Sequence, residues 1–211
     1  MSYELIDSKE KYQKFLLELK QQKEFALDTE TTSMKPREAD LLGIGFCWKE
    51  GEAYYVPMSH NAPFAPSYLK RGEGELFKQI LENPNIIIIG HNIKYDFIVL
   101  KRFGINLQAK LFDTMIAAYL LNPGTRNFNL DGLTFTEFGF RKTPITNLIG
   151  EGRGQISMAE APVEKVSDYC CEDADYTWRL KKKLEGSLAK LKLGKIFYEI
   201  EMPLIPALSL K

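Results

Sequence analysis

Four consecutive isoleucines, Ile86 to Ile89, constrain this chain more than any other segment. Asn83-Pro84 precedes the run and Gly90-His91-Asn92 follows it, so the apolar stretch is too short for a helix. It reads as a strand from Asn85 to Gly90. A strand without polar alternation is buried on both faces, and that requires a sheet with helices on each side. Four further segments read as strands: Tyr3 to Ile6, Glu24 to Thr31, Leu41 to Lys49 and Ala53 to Pro57. The expected core is therefore a mixed five-stranded sheet flanked by helices, an α/β architecture.

Helical spacing sets the rest. Asp7 or Ser8 caps a helix through about Gln22, with Tyr12, Phe15, Leu16 and Leu19 on one face. Residues 59–74, rich in Pro and Gly, read as a loop, followed by a short helix ending at Asn83-Pro84. Helices are expected over about 94–103 and 114–121, shorter ones over 129–138 and 144–149, and a flexible loop over Gly150 to Gly154. Pro162 opens a long helix in which Val163, Val166, Cys170, Thr177, Leu180, Leu184, Leu188 and Leu191 keep helical spacing, with Gly186 a possible interruption. The lysines at 181–183 and 190–195 read as a solvated helix face.

Charge alone argues mildly against DNA binding: Lys+Arg and Asp+Glu both number 28, so the chain lacks the basic surplus of a general nucleic-acid coat, although a few basic groups set apart from an acidic cleft could still hold a few nucleotides. The three cysteines, Cys47, Cys170 and Cys171, fit neither a disulfide framework nor a zinc motif. A reducing, cytoplasmic setting is expected from them. The first residues lack the apolar stretch of a signal peptide, and no apolar run is long enough to span a bilayer.

Three acidic features carry the chemistry. In FALDTETT, Asp28 and Glu30 project from one face of a strand. Two adjacent carboxylates repel unless a cation such as Mg²⁺ or Mn²⁺ sits between them. In GHNIKYDFIVL, Asp96 falls in the first turn of the helix after the buried strand. In YCCEDADYT, Tyr169 and Asp173 are four residues apart on the apolar face of the long helix, where an unpaired carboxylate is expensive. Glu172 and Asp175 fall off that face and read as solvated. Each feature alone also has a plain reading: a polar strand face, a carboxylate at a helix start, a helix with one buried acid.

Taken together and in order, the three features resemble the DEDDy class of DnaQ-like 3′–5′ exonucleases, specifically the proofreading domain of family A DNA polymerases. FALDTETTSM, GHNIKYD, FDTMIAAYLLNP, GEGRGQI and YCCEDADYT carry the resemblance, and EIEMPLIPAL is similar to the junction with the polymerase region. The resemblance implies a ribonuclease-H-like fold. It implies that Asp28, Glu30, Asp96 and Asp173 hold two divalent cations, Mg²⁺ or Mn²⁺, and that Tyr169 helps orient the attacking water. It places Thr29, Met34, His91, Asn92, Arg153 and Gln155 among the substrate contacts, with Met34 as an apolar wedge between terminal bases.

On this resemblance, residues 1–195 are the exonuclease domain and residues 196–211 the start of a polymerase region. The substrate is a single-stranded or frayed 3′ end of DNA and the product a deoxynucleoside monophosphate. His91 stands where glutamine is common in such enzymes, Ile145 stands near a familiar aromatic position, and Asp113 reads as structural. Two other readings stay open: an RNA 3′ exonuclease of the RNase D type, and a silent scaffold domain of a polymerase.

Overall fold

A computed structural model describes residues 1–59 and 73–209. Most of the loop expected over residues 59–74 lies outside the described residues. In chain order the elements are β1 (Ser2–Leu5), α1 (Lys9–Leu19), β2 (Glu24–Thr31), β3 (Leu41–Lys49), β4 (Glu52–Pro57), α2 (Glu73–Leu81), β5 (Ile87–Gly90), α3 (Lys94–Arg102), β6 (Lys110–Asp113), α4 (Thr114–Leu121), α5 (Leu130–Phe138), α6 (Thr146–Ile149), α7 (Val163–Lys190), α8 (Gly194–Ile196) and α9 (Met202–Leu208). A π-helical stretch, Phe197–Glu201, joins the last two.

The sheet is mixed, in the order β1-β4-β3-β2-β5-β6, and has six strands among the described residues where five were expected. The added strand is β6, four residues paired in parallel with β5. Lys-Leu-Phe-Asp is too short to show a period, and its helix-like continuation into α4 conceals it in the sequence. The isoleucine strand β5 lies between β2 and β6, parallel to both, as its apolar character demands. β2, β3 and β4 form the antiparallel meander, and β1 joins β4 in parallel at the edge.

Adjacent residues of β3 show how the sheet is covered. Phe46 meets Phe15 of α1, ring centroids 5.2 Å apart. Gly45 faces the other way, where a Cβ would lie 2.7 Å from Cys170 Sγ and 3.0 Å from the Cys170 carbonyl oxygen. A glycine here lets α7 lie directly on the sheet, where it crosses β1 to β4. The helix runs unbroken through Gly186, and Val166, Cys170, Leu180, Leu184 and Leu188 are buried along it.

Three surface readings are corrected. Asp175 is fully buried: its carboxylate pairs with Arg179, accepts the Gly51 N–H at 3.0 Å and takes the Tyr3 hydroxyl at 3.0 Å. Glu172 is buried and accepts the Thr143 N–H at 2.6 Å. Helical spacing located the main apolar stripe, but α7 is so enclosed that its flanks are buried too. Lys181 likewise leaves the solvated face and pairs with Glu24 and Glu185, both at 2.9 Å. Residues after α7 fold back onto the same body, with the Phe197 ring 4.8 Å from Phe112 of β6. Among the described residues, no helix is long and apolar enough to cross a membrane.

Candidate active site

The centre forms where β2 leaves its partner β5. β5 pairs only with Glu24, Phe25 and Ala26, so the later residues of β2 have no strand on that side. The open backbone group is filled by a side chain: Asp96 Oδ1 accepts the Thr29 N–H at 3.1 Å and the Thr29 hydroxyl at 2.6 Å. Asp96 reaches this point because the chain turns sharply after β5. Gly90 has no room for a Cβ, which would lie 2.6 Å from that of Ile93, and Asn92 takes a left-handed φ of 61°. Asp113 holds this turn from the end of β6, accepting Ile93 N–H at 2.9 Å and Asn92 N–H at 3.3 Å while also capping α4. The expected structural role of Asp113 is what the geometry gives.

Asp28 and Glu30 face α7. Cys170 of α7 meets them: its Sγ lies 3.5 Å from Asp28 Oδ2, and Asp28, Glu30 and Cys170 each offer a ligand atom within 4.8 Å of the others. Asp173, one helical turn further on, is buried and forms an ion pair with Lys142. Lys142 also pairs with Asp131 at 3.1 Å and lies 5.3 Å from the centroid of the Tyr169 ring.

The electrostatics are those of crowded acids. Burial, then Asp96, lifts Asp28 to about 7 against the relief given by Lys142. Burial lifts Asp96 to about 7 although Thr29 donates to it. Burial lifts Asp173 to about 7, with Lys142 opposing. Burial and the charges of Asp28 and Asp173 push Glu30 well above the ordinary carboxylate range. Such a set is short of positive charge. Asp28 and Glu30 bring oxygen atoms within 4.8 Å of each other, and Asp96 and Asp173 lie near enough to interact with the Asp28 charge; such hard oxygen donors are those that Mg²⁺ and Mn²⁺ prefer, so the residues present fit a divalent cation site. Burial and the same acids push the Tyr169 phenol up, so it stays protonated.

The expected substrate contacts divide. Thr29 is buried and its side chain is spent on Asp96. His91 hydrogen-bonds Thr114 Oγ1 at 2.8 Å, and burial followed by Lys142 holds it neutral, with a pKa of about 4. Asn92, Arg153 and Gln155 are exposed, and Met34 is 95% exposed. Two residues of the centre were not anticipated. Lys142 sits in a connection with no helical or strand spacing to place it. Cys170 could have been found, because it lies three residues before Asp173 and so shares its face. A groove of about 740 Å³ lies elsewhere, between β6 and α9, and is lined mainly by apolar groups such as Phe97, Leu111 and Met202.

A family model described as 3′–5′ exonuclease matches residues 3–189, a span that includes every residue of the centre. The chain belongs to the 3′–5′ exonuclease family. DNA polymerase I of Pseudomonas aeruginosa is 32% identical to it over 213 residues, covering 99% of this chain and 23% of that protein. The chain thus spans about a quarter of the polymerase it matches. Among solved structures, Escherichia coli RNase D, an exoribonuclease involved in structured RNA processing, superposes with a TM-score of 0.74 at 18% identity, covering 100% of this chain and 51% of the other. Brucella melitensis NrnC with bound Mg²⁺ gives 0.70 at 23% identity, covering 92% of this chain and 86% of the other. This exonuclease shares their fold, the ribonuclease-H-like arrangement expected from its motifs.

Proposed function

We propose that this exonuclease domain hydrolyses DNA from the 3′ end, releasing deoxynucleoside monophosphates, and that it proofreads for a polymerase. The observation that carries the reading is the pairing of Asp28 with Glu30 at ligand spacing, with Asp96, Asp173 and Tyr169 as their charge neighbours, within a family of 3′–5′ exonucleases. The four carboxylates would hold two divalent cations, Mg²⁺ or Mn²⁺. When bound, such ions supply a water nucleophile near neutral pH and stabilise charge on the attacking and leaving oxygens.

The chain's own groups do the rest. Asp96 fixes the spacing of the two halves of the site through Thr29. Tyr169, kept protonated, is a hydrogen-bond donor that orients the attacking water; it is not the base. Met34, His91, Asn92, Arg153 and Gln155 are the candidate contacts to a single-stranded or frayed 3′ end. Stacking on an apolar side chain tolerates any base, which suits an enzyme that must remove whichever nucleotide is mispaired. Residues 1–195 would be the exonuclease unit and 196–211 the approach to a polymerase region, in keeping with polymerase relatives about four times as long. The compartment would be the cytoplasm, in keeping with three cysteines that fit no disulfide framework.

The test is digestion of 5′-labelled single-stranded DNA and RNA oligonucleotides with Mg²⁺, with Mn²⁺ and with EDTA. The expected result is a ladder shortening from the 3′ end of DNA, abolished by EDTA and by Asp28→Ala. Preferred cleavage of RNA would replace the substrate assignment with an RNase D-like one. No cleavage of either by folded protein with either metal would point to a silent scaffold.

A further inference from the structure

The centre contains a cation of its own. The Lys142 side chain is only 1% exposed, and its ammonium is shared between Asp173 and Asp131. The two partners differ: the Asp173 side chain is 12% exposed, whereas that of Asp131 is 59% exposed. The ammonium therefore bridges an inner carboxylate of the cluster and an outer one on the rim, and it also lies against the ring of Tyr169. A buried ammonium is unfavourable unless paired, and here each of its neighbours on α7 belongs to the candidate machinery.

We propose that Lys142 is a positioning residue and the resident counter-cation of this site. It holds Asp173 and Tyr169 in place without a divalent ion, and shifts onto Asp131 as the ion takes over Asp173. The inference rests on the metal-dependent reading above. An ammonium and a divalent cation repel, so binding the ion at Asp173 requires Lys142 to give way. Asp131 prevents the displaced ammonium from being left unpaired.

The test compares wild type, K142M, K142R, D173N and K142M/D173N by thermal unfolding in EDTA and in Mn²⁺, and by calorimetric titration with Mn²⁺. In EDTA, K142M should unfold several degrees below wild type, and saturating Mn²⁺ should close the gap. K142M should bind Mn²⁺ about tenfold more tightly, because a competing charge is gone. K142R should unfold near wild type in EDTA. In the D173N background, loss of Lys142 should cost little in EDTA, and this double variant should fold even if K142M does not. An equal loss of stability with and without Mn²⁺ would overturn the inference alone. So would unchanged or weaker Mn²⁺ binding by K142M while wild type binds the ion, or a double variant as unstable as K142M. Wild-type protein that takes up no Mn²⁺ would overturn the metal reading, and this inference with it.

Discussion

Asp96 and Thr29 are joined twice through one carboxylate oxygen, which accepts both the backbone N–H and the hydroxyl of Thr29. The residue between the two strand carboxylates is thus fixed to the helix that carries the third. Thr29→Val removes the hydroxyl bond, keeps the shape and leaves a buried acceptor half satisfied. A loss of about 1–2 kcal/mol is expected in denaturant unfolding, together with slower turnover. Thr29→Ser should retain most of both. Turnover unchanged in Thr29→Val would show that this tie does not govern the geometry of the centre.

The acids make a pH prediction. Asp28, Asp96 and Asp173 stand at about 7 against an ordinary value of 3.8. Between those values the folded chain binds more protons than the unfolded chain, so their contribution is complete below about 4 and is lost as pH rises through about 7. Glu30 acts in the same direction. His91, held down to about 4, acts in the opposite one, but it is a single group. In EDTA the thermal midpoint should fall between about pH 5 and pH 8, and saturating Mg²⁺ should flatten the fall by stabilising the ionised forms. A midpoint that rises with pH in EDTA would mean the carboxylates are not frustrated as described.

Asp175 tests stability apart from chemistry. It ties α7 to β1 through Tyr3, to the β3–β4 turn through Gly51 and to Arg179. Arg179→Met leaves this buried carboxylate without its charged partner and should cost about 3 kcal/mol. Because the pair lies outside the carboxylate centre, turnover per folded molecule should stay at the wild-type level. A parallel loss of turnover and stability would mean that the pair also sets the position of Asp173.

The sequence made the sheet and the carboxylates legible because both depend on short-range periodicity. Ile86 to Ile89 announce a buried strand, alternation puts Asp28 and Glu30 on one face, and a four-residue step unites Tyr169 with Asp173. β6 was hidden by its four-residue length. The burial of Asp175, Glu172 and Lys181 was hidden because their partners lie on other elements: Gly51, Thr143 and Glu24. Lys142 was out of reach for the same reason. Long-range charge pairing has no period, so spacing rules cannot see it.

Met34 offers the sharpest separation of binding from folding. Its side chain is 95% exposed, although residues 32–40 around it are well held. Thr32 N–H bonds the Asp40 carbonyl at 3.0 Å and Asp40 N–H bonds the Thr32 hydroxyl at 2.9 Å, closing the base of the loop. Tyr95 fastens Ser33 from α3, and Arg102 fastens Ala39. An apolar side chain presented to solvent by an ordered loop contributes little to folding, so Met34→Ala should change stability by less than about 0.5 kcal/mol. If Met34 stacks on a terminal base, the same change should weaken binding of single-stranded DNA by about 1 kcal/mol, a roughly fivefold rise in KM. Met34→Leu should preserve the contact. Steady-state digestion of one oligonucleotide by the three proteins decides the matter: identical KM values would remove Met34 from the substrate path, whereas a rise confined to Met34→Ala would place it against the DNA.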